Sequence, residues 1–129
     1  MKKKSERKIK ARVIRMSGKD LSVSESIFLA NKTEFFESCK GFEETVVLPS
    51  FEPLTFNTGN TKYTCDFLGL LPNNEMVVIE IKASTKQKGY YYSRARMAAV
   101  AGVFPIFHYI TVFPDPSLEP HEWKFKVFT

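Results

Sequence analysis

The chain has 129 residues, 43% of them apolar and 14% aromatic, a length for one hydrophobic core and a composition that excludes an intrinsically disordered chain. No stretch approaches the roughly 20 consecutive apolar residues of a membrane span, and the basic start MKKKSERKIKARVIR runs into no apolar segment, so neither a membrane nor a secretory address is expected. Cys39 and Cys65 are the two cysteines; one disulfide would add little to a chain with an adequate core, and reduced thiols in the cytoplasm are expected.

The net charge of +5 is unevenly spread. Residues 1–19 hold nine Lys or Arg against Glu6 alone, a balance of +8, which leaves −3 for the remainder. A basic arm over 1–20 on a mildly acidic single domain over 21–129 suits a polyanionic partner, since each phosphate neutralised by Lys or Arg releases a condensed counterion. A plain solubilising tail is the alternative.

In chain order, Ser22-Val23-Ser24-Glu25 has the spacing of a capping box, and a helix is predicted over 21–39. Phe28, Phe35, Phe36 and Cys39 recur on one side of it, and Gly41 stands where a left-handed cap is common. Strands are predicted over 45–48, 54–56, 63–71 and 76–83, with turns at Thr58-Gly59-Asn60 and Pro72-Asn73-Asn74, the latter closing a hairpin between the last two. A second helix is predicted over 90–101, then a strand over 106–113 rich in buried residue types. Pro114, Pro116 and Pro120 predict a loop, and 123–128 alternates as a final edge strand.

Chemistry concentrates in VVIEIKAS and YTCDFLGLL. Side chains alternate along a strand, so Glu80 and Lys82 share one face while Ile79 and Ile81 share the other. Charge in such an apolar strand is costly unless it is paired, hydrogen-bonded or bound to a metal. If the hairpin register sets Asp66 opposite Glu80, two carboxylates and a lysine converge. Such a group suits Mg²⁺, a hard cation held through one or two carboxylates; it would polarise a phosphodiester and acidify a bound water, with Lys82 orienting the nucleophile or stabilising phosphate charge. The plain reading is a hairpin whose solvated face carries an ordinary Asp, Glu and Lys.

From about Ser24 to Phe113 these residues resemble the PD-(D/E)xK nuclease superfamily: Cys65-Asp66 and Glu80-Ile81-Lys82 are similar to its Pro-Asp followed by Glu-x-Lys. The wider context, LPSFEPL, KYTCDF and MVVIEIKAS, resembles phage junction-resolving endonucleases and the nuclease subunit of some bacterial transposases. Cys65 departs from the family's proline without touching a ligand position. The resemblance implies an α/β fold of the α+β type, a restriction-endonuclease-like core with a central mixed sheet flanked by helices, in the order helix, β-meander, helix, strand. It implies that Asp66, Glu80 and the carbonyl of Ile81 hold Mg²⁺ or Mn²⁺ and that Lys82 serves the attacking water. Glu25 falls on the family's acidic position in the first helix, and serves either there or as the cap of its own helix. The implied activity is endonucleolytic cleavage of DNA, with branched DNA such as a Holliday junction as a substrate and a homodimer to make two cuts, in a host cytoplasm if the chain is phage-encoded. Alternatives are a strand-nicking nuclease of a transposition, restriction or packaging system, and a catalytically inactive nucleic-acid-binding module of the same fold.

Lys86 and Lys88, with Gln87 between them, then Arg94 and Arg96, are expected phosphate contacts, the alternative being a solvated loop and helix face. Tyr90-Tyr91-Tyr92 includes at least one core tyrosine, because neighbouring helical residues point in different directions. Two isolated histidines, His108 and His121, make no zinc site, and no phosphate-binding glycine loop or nucleophile elbow occurs.

Overall fold

A computed structural model describes residues 15–16, 19–86 and 88–128. The short strands β1 (Arg15–Met16) and β2 (Lys19–Asp20) pair as an antiparallel ribbon; the expected arm before them and Gln87 lie outside the described residues.

Helix α1 spans Val23–Glu37 and opens on the expected capping box. Ser22 Oγ accepts from the Glu25 amide at 3.1 Å, while Glu25 Oε1 accepts from the Ser22 amide at 2.8 Å. The helix kinks at Asn31, where φ is −124° and the side-chain amide donates to the Ile27 carbonyl at 2.9 Å. Competition of this kind between a side chain and the helical ladder is a recognised cause of bending. Phe28, Phe35 and Phe36 are buried, as expected, together with Ser26 and Ile27, and Cys39 is buried just beyond the helix. The helix stops short of residue 39: Ser38 Oγ takes the Phe35 carbonyl at 2.7 Å, and Gly41, at φ +89°, lies in the turn beyond.

Strands β3 (Val46–Val47), β4 (Thr55–Asn57), β5 (Lys62–Thr64), β6 (Phe67–Leu70) and β7 (Met76–Ile81) follow, then helix α2 (Tyr90–Val103), strand β8 (His108–Phe113), a 3-10 turn at Pro120–Glu122 and strand β9 (Lys124–Phe128). One five-stranded sheet has the order β3-β6-β7-β8-β9. Its β7–β8 pair is parallel and the other pairs antiparallel. The parallel pair needs a crossover, which α2 supplies. The result is the mixed α+β class expected from sequence.

Alternation along the central strands divides the core between the two faces of the sheet. Val77, Ile79, Ile81, Ile110 and Val112 pack with Phe28, Phe35 and Phe36 of α1; Leu68, Val78 and Tyr109 pack with Met97 and Val100 of α2. Burial on both faces explains why β7 and β8 read as nearly continuous apolar runs.

The β6–β7 hairpin turns through Pro72-Asn73-Asn74 as expected. Asn74 sits at φ +70° and donates to Leu71 O, and Asn73 Oδ1 accepts from the Glu75 amide at 3.0 Å. The single strand expected over 63–71 is instead two. Phe56 pairs with Tyr63 in a separate β4–β5 ribbon, whereas Phe67 pairs with Ile79 in the main sheet. The break at Cys65 and Asp66 marks the change of partner: the Cys65 amide donates to Leu54 and the Asp66 amide to Ile79.

Candidate active site

The β6–β7 register carries the geometry that the sequence left conditional. Phe67 faces Ile79, and continuing by one residue sets Asp66 against Glu80. Two hydrogen bonds fix that juxtaposition: the Asp66 amide donates to the Ile79 carbonyl at 3.1 Å, and Asp66 Oδ2 accepts from the Ile81 amide at 2.7 Å. A carboxylate thus stands where a main-chain carbonyl would continue the ladder.

Glu80 is 7% exposed in the middle of the sheet. Its Oε1 accepts from the Tyr63 hydroxyl at 2.5 Å and its Oε2 lies 3.4 Å from Lys82 Nζ. Glu80 and Lys82 therefore share a face, as their spacing requires. Glu25, at the start of α1, lines the same cavity of about 340 Å³ together with Ser22, Asp66, Glu80, Ile81 and Lys82. The two readings of Glu25 coexist: it caps its own helix through Oε1 and contributes a carboxylate to the cavity.

The electrostatics follow from burial. Desolvation pushes Asp66 well above the ordinary carboxylate range, reinforced by the charges of Glu80 and Glu25 and opposed by the Ile81 amide and Lys82. Desolvation also raises Glu80, against the lowering effects of the Tyr63 hydroxyl and Lys82. Burial beside this pair raises Tyr63 well above its usual value and pushes the Cys65 thiol up to about 12. The cavity gathers three carboxyl groups against one lysine, and a bound divalent cation would favour the ionised forms that burial alone disfavours. Its donors are hard oxygens, the type Mg²⁺ and Mn²⁺ prefer. Among the described residues no group of three or more His, Cys, Asp or Glu side chains forms a metal cluster; the expected donor set of two carboxylates and the Ile81 carbonyl is of a different kind, and its chemistry fits the ion.

The expected phosphate contacts do not line this cavity. Lys86 and Lys88 are exposed in the connection between β7 and α2. The guanidinium of Arg94 lies 5.6 Å from the Phe128 ring centroid. Arg96 hydrogen-bonds the Lys62 carbonyl through two of its nitrogens and covers the Tyr92 ring at 5.3 Å, tying α2 to the β4–β5 ribbon. Of the three tyrosines only Tyr90 is buried; Tyr91 and Tyr92 are 70% and 69% exposed. His108 pairs with Glu75 at 2.7 Å on the surface.

Tyr63 is the site residue that sequence reasoning missed. The stretch carries no local signal for it: Tyr63 belongs to the β4–β5 ribbon and Phe67 to the main sheet, and that change of partner brings the tyrosine hydroxyl to Glu80. No family model, curated protein or solved structure matches the chain.

Proposed function

We propose that the chain is a metal-dependent nuclease with a restriction-endonuclease-like core, whose active site is the cavity of Asp66, Glu80, Lys82 and Glu25. The observation that carries this reading is the opposition of Asp66 and Glu80 across the β6–β7 hairpin, with Lys82 on the face of Glu80. Two carboxylates held side by side in low dielectric repel each other, and a divalent cation bound by both would relieve that repulsion.

Asp66, Glu80 and the Ile81 carbonyl would hold Mg²⁺ or Mn²⁺, which when bound polarises a phosphodiester and acidifies a water. The chain's own residues supply the rest. Lys82, as an ammonium, orients the attacking water and stabilises negative charge as it grows on the phosphate. The first turn of α1 borders the cavity through Ser22, Val23 and Ser24, so the positive end of the helix faces an incoming phosphate. Tyr63 holds Glu80 in one rotamer. Water adds to phosphorus, one P–O ester bond breaks, the water's proton leaves to solvent, and the departing ester oxygen takes a proton from solvent to leave as a hydroxyl.

The rival reading is a nucleic-acid-binding module without turnover, and one observation favours it: both Glu80 oxygens already have partners in Tyr63 and Lys82. Cleavage assays on single-stranded, duplex and four-way-junction DNA with Mg²⁺ or Mn²⁺ separate the two. Cleavage by wild type, lost by at least about 10³-fold in Asp66→Ala and Lys82→Ala, is expected for the loss of a metal-holding carboxylate and of a group that stabilises the transition state. Binding without cleavage in either metal would establish the module. Preferential cutting of the junction, and a dimer in solution, are expected if the chain is a junction-resolving enzyme; equal cutting of junction and duplex favours a strand-nicking role.

A further inference from the structure

A second, larger cavity of about 610 Å³ adjoins the catalytic one and shares Val23, Ser24 and Ala83 with it. Its volume is within the roughly 300–1,000 Å³ of small-molecule sites. Phe113, Pro114 and Pro116 give it an apolar wall, and Lys124 and Lys126 of β9 stand on its rim.

Register relates these lysines to the catalytic residues. Glu80 pairs with Thr111 and Thr111 with Lys126, so the three occupy one row and one face of the sheet. Lys124 lies beside Phe113 on that same face, two residues along, in the row that Lys82 continues through its amide bond to Val112. From β7 to β9 is two strand spacings, about 10 Å. The two lysines therefore lie to one side of Glu80 rather than on it. The acidic residue in the cavity wall, Asp115, is turned to its own loop, where Oδ1 accepts from the amide and hydroxyl of Ser117 at 2.9 and 2.7 Å. The Tyr90 ring lies 5.9 Å from Phe113 and 6.0 Å from Lys126 Nζ, and its buried hydroxyl has no hydrogen-bond partner among the described residues.

We infer that this cavity seats one unpaired nucleotide of the nucleic-acid strand next to the scissile phosphate, its base against Phe113, Pro114 and Pro116 and its phosphate on Lys124 and Lys126. The inference rests on the nuclease reading for its orientation, and it specifies the substrate: a strand with an unpaired or extruded residue at the cut. A duplex presents phosphates outward and hides base faces in its stack, so an apolar wall inside a cavity is useful only to a base that has left the stack.

Trp123 is the single tryptophan, and its indole nitrogen donates to the carbonyl of Asp115 in the cavity wall at 2.9 Å. Its emission is therefore a built-in reporter. Full-length chain in metal-free buffer is titrated with short oligothymidylate, with a blunt duplex and with thymidine monophosphate. A saturable change in Trp123 emission is expected with the oligonucleotide, at concentrations where the duplex and the mononucleotide give none. Lys124→Ala/Lys126→Ala should weaken that response about tenfold or more, the cost of losing two phosphate contacts, and Lys126→Arg should retain it. A silent tryptophan, an equal response to duplex or mononucleotide, or wild-type affinity in the double variant would overturn the inference. Both lysines are exposed, and unchanged thermal melting of the variants ensures that binding alone is read. Because no metal is present, the outcome is independent of cleavage: a chain that cuts nothing yet shows the response loses the nuclease reading and keeps the nucleotide seat, and a chain that cuts with a silent tryptophan does the reverse.

Discussion

At the scale of the residue, Asp66 sits in tension between stability and use. Its ionised form is disfavoured by burial and by Glu80, so its folded pKa lies above that of the unfolded chain, as does that of Glu80. A group raised in this way contributes stability that is complete below the ordinary carboxylate range and lost as pH rises through the raised value. Melting of the chain in EDTA should accordingly fall as pH climbs from that range toward neutrality and beyond. Asp66→Asn keeps an oxygen for the Ile81 amide and removes the charge. It is expected to flatten that pH profile, raise stability near neutral pH by about 1 kcal/mol, and abolish cleavage. A variant melting below wild type at neutral pH would contradict the account. Tyr63→Phe addresses the same pair from the other side. Removal of the hydroxyl on Glu80 should reduce metal affinity or activity by roughly 10–100-fold, as loss of a ligand's supporting hydrogen bond does, and activity titrated against Mg²⁺ reads it.

At the scale of the element, the β6–β7 hairpin determines the site. Gly69 lies between Val47 and Val77, and a Cβ built there would stand 2.6 Å from Thr45 Cγ2. Gly69→Ala should therefore force β3 from β6 at a cost of about 1–3 kcal/mol, seen as a lower denaturation midpoint with an unchanged denaturant slope. Elements with strong local signals were legible in the sequence: the capping box of α1, the Asn turn of the hairpin, the apolar run of β8. The Glu80–Lys82 face followed from two-residue alternation alone. What was not legible was a change of partner inside an unbroken β-favouring stretch. YTCDFLGLL has no Gly or Pro before Asp66, so nothing local distinguishes a residue paired with β4 from one paired with β7. Tyr63 was missed for that reason, and Lys124 and Lys126 because only long-range register joins β9 to the row of Glu80.

At the scale of the whole molecule, charge is divided between the basic arm and the body. Deletion of residues 2–15 should weaken DNA binding and reduce its salt slope by close to one unit per lost phosphate contact, with circular dichroism of the remaining domain unchanged. An unaltered slope would make the arm a bystander. Among the described residues no helix is long and apolar enough to cross a membrane. On the proposed nuclease reading, the arm would supply general attraction to nucleic acid and the cavities discrimination among its forms.

The position of β9 has a consequence of another kind. It is the outer strand of the sheet, and its sequence KFKVF would, without its lysines, be an apolar β-forming ribbon with open amides and carbonyls, the kind of edge that recruits other chains into aggregates. Two like charges in alternate positions make a second copy of the same strand an unfavourable neighbour. Lys124 and Lys126 thus guard the solubility of this edge whatever they bind, and exchanging them for apolar residues should cost the protein its monodispersity before it costs the fold.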